Sequence, residues 1–163
     1  MKTSKLLKWV ALFAGAIIFM GCPYSSTVPL SESGAKIGDN LIGTWELSGT
    51  PGTTAEVKRT GSNTVDILKM SEGDTEATTY NAHITDINGT LFLNVKESGD
   101  SDYNSYYFYK ISKEGEFKLT ISPVTTNIRE TFENSSDLYK FFSGNMQNSY
   151  FYDDGDETYY KVK

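Results

Sequence analysis

The chain has 163 residues, with 21 acidic against 15 basic side chains, and its formal net charge at pH 7 is −6. A surface of this sign is repelled by phosphate backbones, so we expect no nucleic-acid partner. The only cysteine is Cys22, which excludes an internal disulfide. Hydrophobic burial must therefore hold the fold.

The first 22 residues combine three lysines, an apolar run and the cysteine: Lys2, Lys5 and Lys8 precede residues 9–20, and Gly21-Cys22 follows. This arrangement resembles a bacterial lipoprotein signal. Gly21 is small enough for a peptidase to reach the backbone, and the thiolate of Cys22 can accept a diacylglyceryl group. Phe19 stands where such signals usually have Leu. Ordinary cleavage nearby, which would leave a secreted protein with a free thiol, is the alternative to lipidation of Cys22.

Removal of residues 1–21 would leave a chain of single-domain size with a net charge of about −9. The apolar run is too short for a comfortable spanning helix, and no later segment comes close to one. We therefore expect attachment through acyl chains, such as palmitate, on Cys22. Pro23, rather than Asp, follows the cysteine. In a double-membrane bacterium this favours the outer membrane, on its periplasmic or surface face.

Residues 22–39 are rich in Ser, Pro and Gly, and their composition predicts a lipidated cysteine followed by a flexible linker. From residue 40 onward, short alternating apolar runs predict strands. These runs lie near residues 41–47, 55–59, 64–69, 78–87, 91–95, 105–113, 116–124, 149–152 and 158–162. Asn88-Gly89 lies between two runs and predicts a tight hairpin.

One segment has a different period. Leu138, Phe141 and Phe142 recur at helical spacing and predict a short helix, with Asn134 as its N-cap and Gly144 as its C-cap. About eight strands with one short helix before the last strands predict an all-β antiparallel barrel or sandwich. A closed barrel would leave no exposed strand edges.

The Gly43-Thr44-Trp45 motif opens the first predicted strand and is similar to the motif of lipocalins and of bacterial lipocalin-like lipoproteins. The resemblance implies an eight-stranded up-and-down barrel over residues 40–163, with Gly43 and Trp45 at its closed end. Lipocalins pair this Trp with a basic residue near the last strand, a role open here to Arg129 or Lys161. Their helix follows the eighth strand, whereas this one is predicted earlier, so the resemblance implies a fold and no particular ligand.

Tyrosines are abundant on the predicted strands and are the candidates for a ligand cavity or a protein interface. We single out Tyr80, Tyr107, Tyr109, Tyr150 and Tyr152. Cross-strand packing is the alternative role, because β-propensity alone enriches strands in tyrosine.

No catalytic constellation is visible in the sequence. His83 is the only histidine, and no second histidine or further cysteine could complete a zinc set or a triad with it. The acidic turn at residues 153–157 lacks the spacing of a calcium loop. We therefore expect no enzyme activity, cofactor or metal.

The sequence favours a membrane-anchored lipoprotein whose barrel binds a small apolar or aromatic ligand. The alternative is a non-enzymatic protein-interaction module of the cell envelope that uses a Tyr-rich sheet face. An open apolar cavity would favour the first function, and a filled interior beneath an exposed aromatic patch would favour the second.

Overall fold

The computed structural model describes residues 23–98 and 104–162, so the predicted signal segment and Cys22 lie outside the described residues. The described strands are β1 Ser25–Ser26, β2 Gly43–Leu47, β3 Thr54–Arg59, β4 Thr64–Met70, β5 Thr78–Ile87, β6 Thr90–Glu97, β7 Tyr106–Glu114, β8 Lys118–Pro123 and β9 Glu157–Lys161. One α-helix, α1, spans Ser135–Asn145. Among the described residues, no helix is long and apolar enough to cross a bilayer.

Strands β2 to β9 form a closed antiparallel barrel of eight strands, as predicted. Each pairs with the next along the chain, and β9 returns to pair with β2. The short strand β1 lies outside this ring and pairs with the start of β7. We call the end where β2 begins the closed end, and the end where β2 stops and β3 starts the mouth.

Side chains alternate between the interior and the outer face of the barrel wall, and both faces are buried in places. On β6, Leu91, Leu93 and Val95 belong to the cluster inside the barrel. Phe92 and Asn94, between them, face outward and are nevertheless fully buried. The hairpin before β6 turns at Asn88 and Gly89, whose φ angles of 52° and 86° are those of the turn that the sequence predicts.

Helix α1 lies between β8 and β9 and packs against the outside of the barrel. Asn134 is its N-cap, as predicted, and its side chain accepts a hydrogen bond from the Asp137 amide at 3.0 Å. The prediction of Gly144 as the C-cap is wrong. The helix continues to Asn145 because the Met146 amide still bonds to the carbonyl of Phe142, at 2.8 Å, and the Met146 side chain is buried.

The segment after the helix also differs from its prediction. Residues 149–152 were expected to form a strand, but Ser149–Phe151 form one 3₁₀ turn. This turn directs Phe151 into the cluster beneath α1, where its ring centroid lies 5.0 Å from that of Phe142. The backbone of Tyr152 pairs with Val124 through an isolated β-bridge instead of a strand.

Residues 23–37 form what we call the N-terminal strap, which runs along the outer wall from the mouth to the closed end. The flexible linker predicted over residues 22–39 is wrong for these described residues, because Tyr24, Leu30 and Ile37 are all buried. Their spacing follows neither a helix nor a strand, since each fills a separate site on the barrel. No periodicity in the sequence therefore indicates this packing.

Hydrogen bonds from β5 and β6 hold the middle of the strap. The Leu30 amide donates to the buried Asn94 side chain at 2.8 Å, and the hydroxyls of Ser31 and Thr85 lie 2.7 Å apart. His83 faces outward, and its ring bonds to the Ser31 carbonyl at 2.8 Å. The strap covers this ring, and burial lowers the pKa of His83 against the opposing effects of the Ser31 carbonyl and Glu32.

Candidate functional site

The Gly43–Trp45 motif lies at the closed end of the barrel. Trp45 is 1% exposed, and its indole N–H donates to the Leu41 carbonyl at 3.0 Å. The ammonium of Lys161 lies 5.4 Å from the centre of the indole ring and donates to the Asn40 carbonyl at 3.1 Å. Lys161, rather than Arg129, is therefore the basic partner of the tryptophan.

Gly43 is required by this arrangement for two reasons. Its φ of +124° lies in a region that residues with a side chain rarely adopt. A Cβ at this position would also stand 3.2 Å from Cε of Lys161. A glycine thus allows the lysine to cross the strand and reach the Trp45 ring.

The barrel encloses a cavity of about 190 Å³ that opens toward the mouth. Most of its wall is apolar, with Trp45 at the inner end and aliphatic side chains from β3, β4, β6 and β8 around it. The lining residues are Trp45, Ala55, Val57, Ile67, Lys69, Tyr80, Leu93, Val95, Tyr109, Leu119, Ile121, Glu157 and Tyr159.

A second void of about 60 Å³ lies deeper and shares part of this wall. It is lined wholly by aliphatic side chains, and Ile37 and Leu41 close it from below. The end of the strap therefore serves as the floor of the barrel. The polarity of the interior rises in one direction, from an aliphatic floor to a mouth with hydroxyl and charged groups.

The polar groups of the cavity centre on Glu157, which lies at the start of β9. Its carboxylate accepts a hydrogen bond from the Tyr159 hydroxyl at 2.5 Å and faces the Lys69 ammonium at 3.6 Å. Burial, followed by the hydrogen bond to Glu157 and the negative charge of that carboxylate, strongly raises the pKa of Tyr159, so this phenol stays protonated as a donor.

Three of the five predicted tyrosines lie at this mouth. Tyr80 and Tyr109 line the cavity from β5 and β7. Tyr107 shares the face of Tyr109, one step nearer the rim, and pairs with Val95 of the cavity wall. Burial raises the pKa of Tyr80, and Glu97, Glu157 and Tyr107 add to the effect in that order.

The other two predicted tyrosines lie elsewhere. Tyr150 is 71% exposed on the turn after α1. Tyr152 packs at the edge of the cluster under the helix, donates its hydroxyl to the Met146 carbonyl at 2.8 Å, and carries the Lys110 ammonium 4.1 Å above its ring. The five tyrosines therefore do not form one surface.

Lys69, Glu157 and Tyr159 were not singled out from the sequence. Strand alternation could have placed each beside its inward-facing neighbours, since Lys69 follows Ile67 at a spacing of two. Their meeting depends on barrel closure, because β4 and β9 contact each other only across the interior. No local sequence signal contains that information.

In the part of the chain that the structure describes, no group of His, Cys, Asp and Glu side chains is arranged to hold a metal ion. The predicted lipidation site, Cys22, lies outside the described residues. Comparison with protein-family models, curated proteins and solved structures finds no match for this chain.

Proposed function

We propose that this protein is a membrane-anchored lipoprotein whose lipocalin-like barrel binds a small apolar or aromatic ligand. The supporting observation is the cavity of about 190 Å³ inside the closed barrel, lined mostly by aliphatic and aromatic side chains. A concave apolar pocket with a few convergent polar groups is the usual form of a small-molecule site. An eight-stranded barrel has an interior of the width to hold one such ligand.

The size of the cavity limits the ligand. Its volume equals that of about six water molecules at their share of liquid volume, and the deeper void adds about two more. A short alkyl chain or a single aromatic ring fits this space, whereas a long acyl chain does not. The walls offer such a group Trp45 at one end and tyrosine rings at the other.

The proposed membrane anchor rests on the signal-like first 22 residues. Its test is metabolic labelling with an alkyne-bearing palmitate, followed by fractionation of the envelope. The full chain should acquire label and partition with the outer membrane, and Cys22→Ser should lose both properties. Label that persists in Cys22→Ser, or an unlabelled wild-type chain, would overturn the anchor without affecting the barrel.

The alternative, an envelope interaction module that uses a Tyr-rich sheet face, has less support. Tyr80 and Tyr109 line the interior, and Tyr152 lies partly beneath the helix cluster. Of the five, only Tyr150 offers an open ring for a partner. The inward tyrosines and the open cavity together favour a small ligand over a protein.

The ligand-binding proposal is tested by filling the cavity. Ala55 and Lys58 lie on the two faces of β3, since Ala55 lines the cavity and Lys58 is exposed. We expect native mass spectrometry of the wild-type protein, extracted gently from its own host, to show a bound small molecule. Ala55→Phe should abolish that added mass, while Lys58→Phe should retain it.

Folding has to be checked in both variants by circular dichroism and thermal unfolding. Should Ala55→Phe fail to fold, Val57→Leu gives a milder filling of the same wall. An equal added mass in Ala55→Phe and in wild type would place the ligand outside the barrel. No added mass in any preparation would count against a ligand-binding function.

A further inference from the structure

The charges around the mouth have one predominant sign. The loop between β4 and β5 and the turn before β9 both lie at this end, and neither carries a basic residue. With the nearby strand ends they present the acidic side chains Glu72, Asp74, Glu76, Glu97, Asp154, Asp156 and Glu157. Among the described residues that line the cavity, Lys69 is the basic one.

The closed end lacks this acidic excess. The charged side chains there are four basic and four acidic: Arg59, Lys113, Lys118 and Lys161, and Asp39, Asp86, Glu114 and Glu116. Some are paired locally, Arg59 with Asp39 at 2.6 Å and Lys118 with Glu114 at 2.9 Å. The barrel is therefore polarised along its axis, with its negative end at the cavity opening. Clefts lined by one sign of charge concentrate ligands of the opposite sign and speed their capture.

The interior of the mouth favours a cation as well. Lys69 and Glu157 form a loose pair, and both side chains remain about one-third exposed. Glu97 lies opposite Tyr80 on the inward face of the wall and is exposed. It adds a second carboxylate to the mouth. The rings of Tyr80, Tyr109 and Tyr159 offer electron-rich faces, which attract cations.

We infer that the cavity selects a cationic amphiphile, a small molecule with a short apolar part and an ammonium group. This inference rests on the proposed ligand-binding function and names the chemical class of the ligand. The apolar part would occupy the aliphatic chamber above Ile37 and Leu41, next to Trp45. The ammonium group would lie at the mouth, between the Glu157 carboxylate and the tyrosine rings.

Three probes of equal chain length separate the possibilities: n-hexylammonium, hexanoate and 1-hexanol. Their alkyl chain matches the volume of the cavity, and they differ only in the head group. The chain contains two tryptophans, Trp9 and Trp45, so in the full chain carrying Trp9→Phe the indole of Trp45 reports on the cavity alone. Titrations of Trp45 fluorescence then give the three affinities.

We expect hexylammonium to bind about tenfold more tightly than hexanoate at low ionic strength, with hexanol between them. The difference between the affinities for hexylammonium and hexanoate should become smaller in about 0.5 M salt, since salt screens the charges at the mouth. Hexanoate or hexanol binding as tightly as hexylammonium would overturn the cationic class and leave ligand binding intact. A Trp45 signal that none of the three changes would contradict the proposed function itself.

Two matched variants test whether the charge in the cavity causes the preference for the cationic probe. Glu157→Gln removes one negative charge from the cavity, keeps an oxygen for the Tyr159 hydroxyl, and leaves Lys69 without its ion pair. It should weaken hexylammonium binding about fivefold and strengthen hexanoate binding. Glu116→Gln removes the same charge from an exposed site at the closed end and should change neither affinity. Equal effects of the two variants would show that net charge, rather than the cavity, discriminates between the probes.

Discussion

The two hydrophobic clusters of this protein lie on opposite faces of the same barrel wall and are built differently. The cluster inside the barrel is mainly aliphatic and leaves a cavity. The cluster beneath α1 is rich in aromatic rings, and Phe92, Phe108 and Phe142 are all 0% exposed there. The centroid of the Phe142 ring lies 5.3 Å from those of the other two. Dense packing outside the wall can thus stabilise a barrel whose interior stays partly empty.

Two leucine truncations compare these clusters directly and should give the largest effect. Leu138 lies on the face of α1 that packs against the outside of the barrel, and it is 0% exposed. Leu93 lines the cavity and is half-buried. We expect Leu138→Ala to lower the free energy of unfolding by about 4 kcal/mol and Leu93→Ala by about 2 kcal/mol, since a side chain beside a void loses fewer contacts. Urea denaturation measures both. Equal losses would show that the interior is as tightly packed as the outer cluster.

A buried amide on the outer face of the barrel wall provides the next test. Asn94 is 0% exposed, accepts from the Leu30 amide, and donates to the Thr85 hydroxyl at 3.0 Å. Asn94→Ala leaves these groups without their partner and should cost about 2 kcal/mol of unfolding free energy. It should also speed hydrogen exchange at the Leu30 amide. Asn81→Ala, at an exposed position of β5, is the control and should leave that exchange unchanged.

The strap over His83 gives the outer wall a pH dependence between about pH 5.5 and pH 7. Burial is the main cause of the lowered pKa, so folded His83 binds its proton only below the ordinary value of 6.5. The unfolded chain then takes up the proton first as pH falls, so the contribution of His83 to stability should be constant above about pH 7 and decrease toward pH 5.5. His83→Gln, which can still donate to the Ser31 carbonyl, should flatten this decrease in thermal unfolding scans. If stability decreases with pH as steeply in His83→Gln as in wild type, other groups cause the decrease.

The smallest effect is expected at a residue that belongs to neither cluster. Tyr150 is 71% exposed, so Tyr150→Ser should change the unfolding free energy by no more than about 0.5 kcal/mol. The affinities of the three hexyl probes should also remain the same. Calorimetric unfolding and the Trp45 titration check the two expectations. A marked loss of ligand affinity would extend the site to the turn after α1.

Local signals in the sequence predicted most elements of the fold correctly. Asn88-Gly89 indicated a hairpin, Asn134 indicated a helix start, and the alternating runs indicated about eight antiparallel strands. Each of these features depends on residues adjacent in the chain. The alternating runs left a barrel or a sandwich open, and the resemblance at Gly43-Thr44-Trp45 implied the barrel that the structure shows.

The cavity chemistry and the strap could not be predicted in this way. Lys69 and Glu157 are far apart in sequence and meet only because β9 closes the ring. Tyr24 and Leu30 are isolated apolar residues in a polar segment whose composition indicates a flexible linker. Both belong to the cluster between the outer wall and α1, so their burial depends on tertiary packing that composition does not reveal.

The packed strap changes how far the barrel could stand from a bilayer. A flexible chain of seventeen residues would give a root-mean-square separation of about 23 Å. The Tyr24 amide instead donates to the Val124 carbonyl at 2.8 Å, and Ser25 pairs with Tyr107 at the mouth. For the lipid proposed on Cys22, the two residue steps from Cys22 to Tyr24 span at most about 7 Å. With such a lipid, the standoff distance would be shorter than the barrel itself, and the mouth would be the end held next to the lipid headgroups.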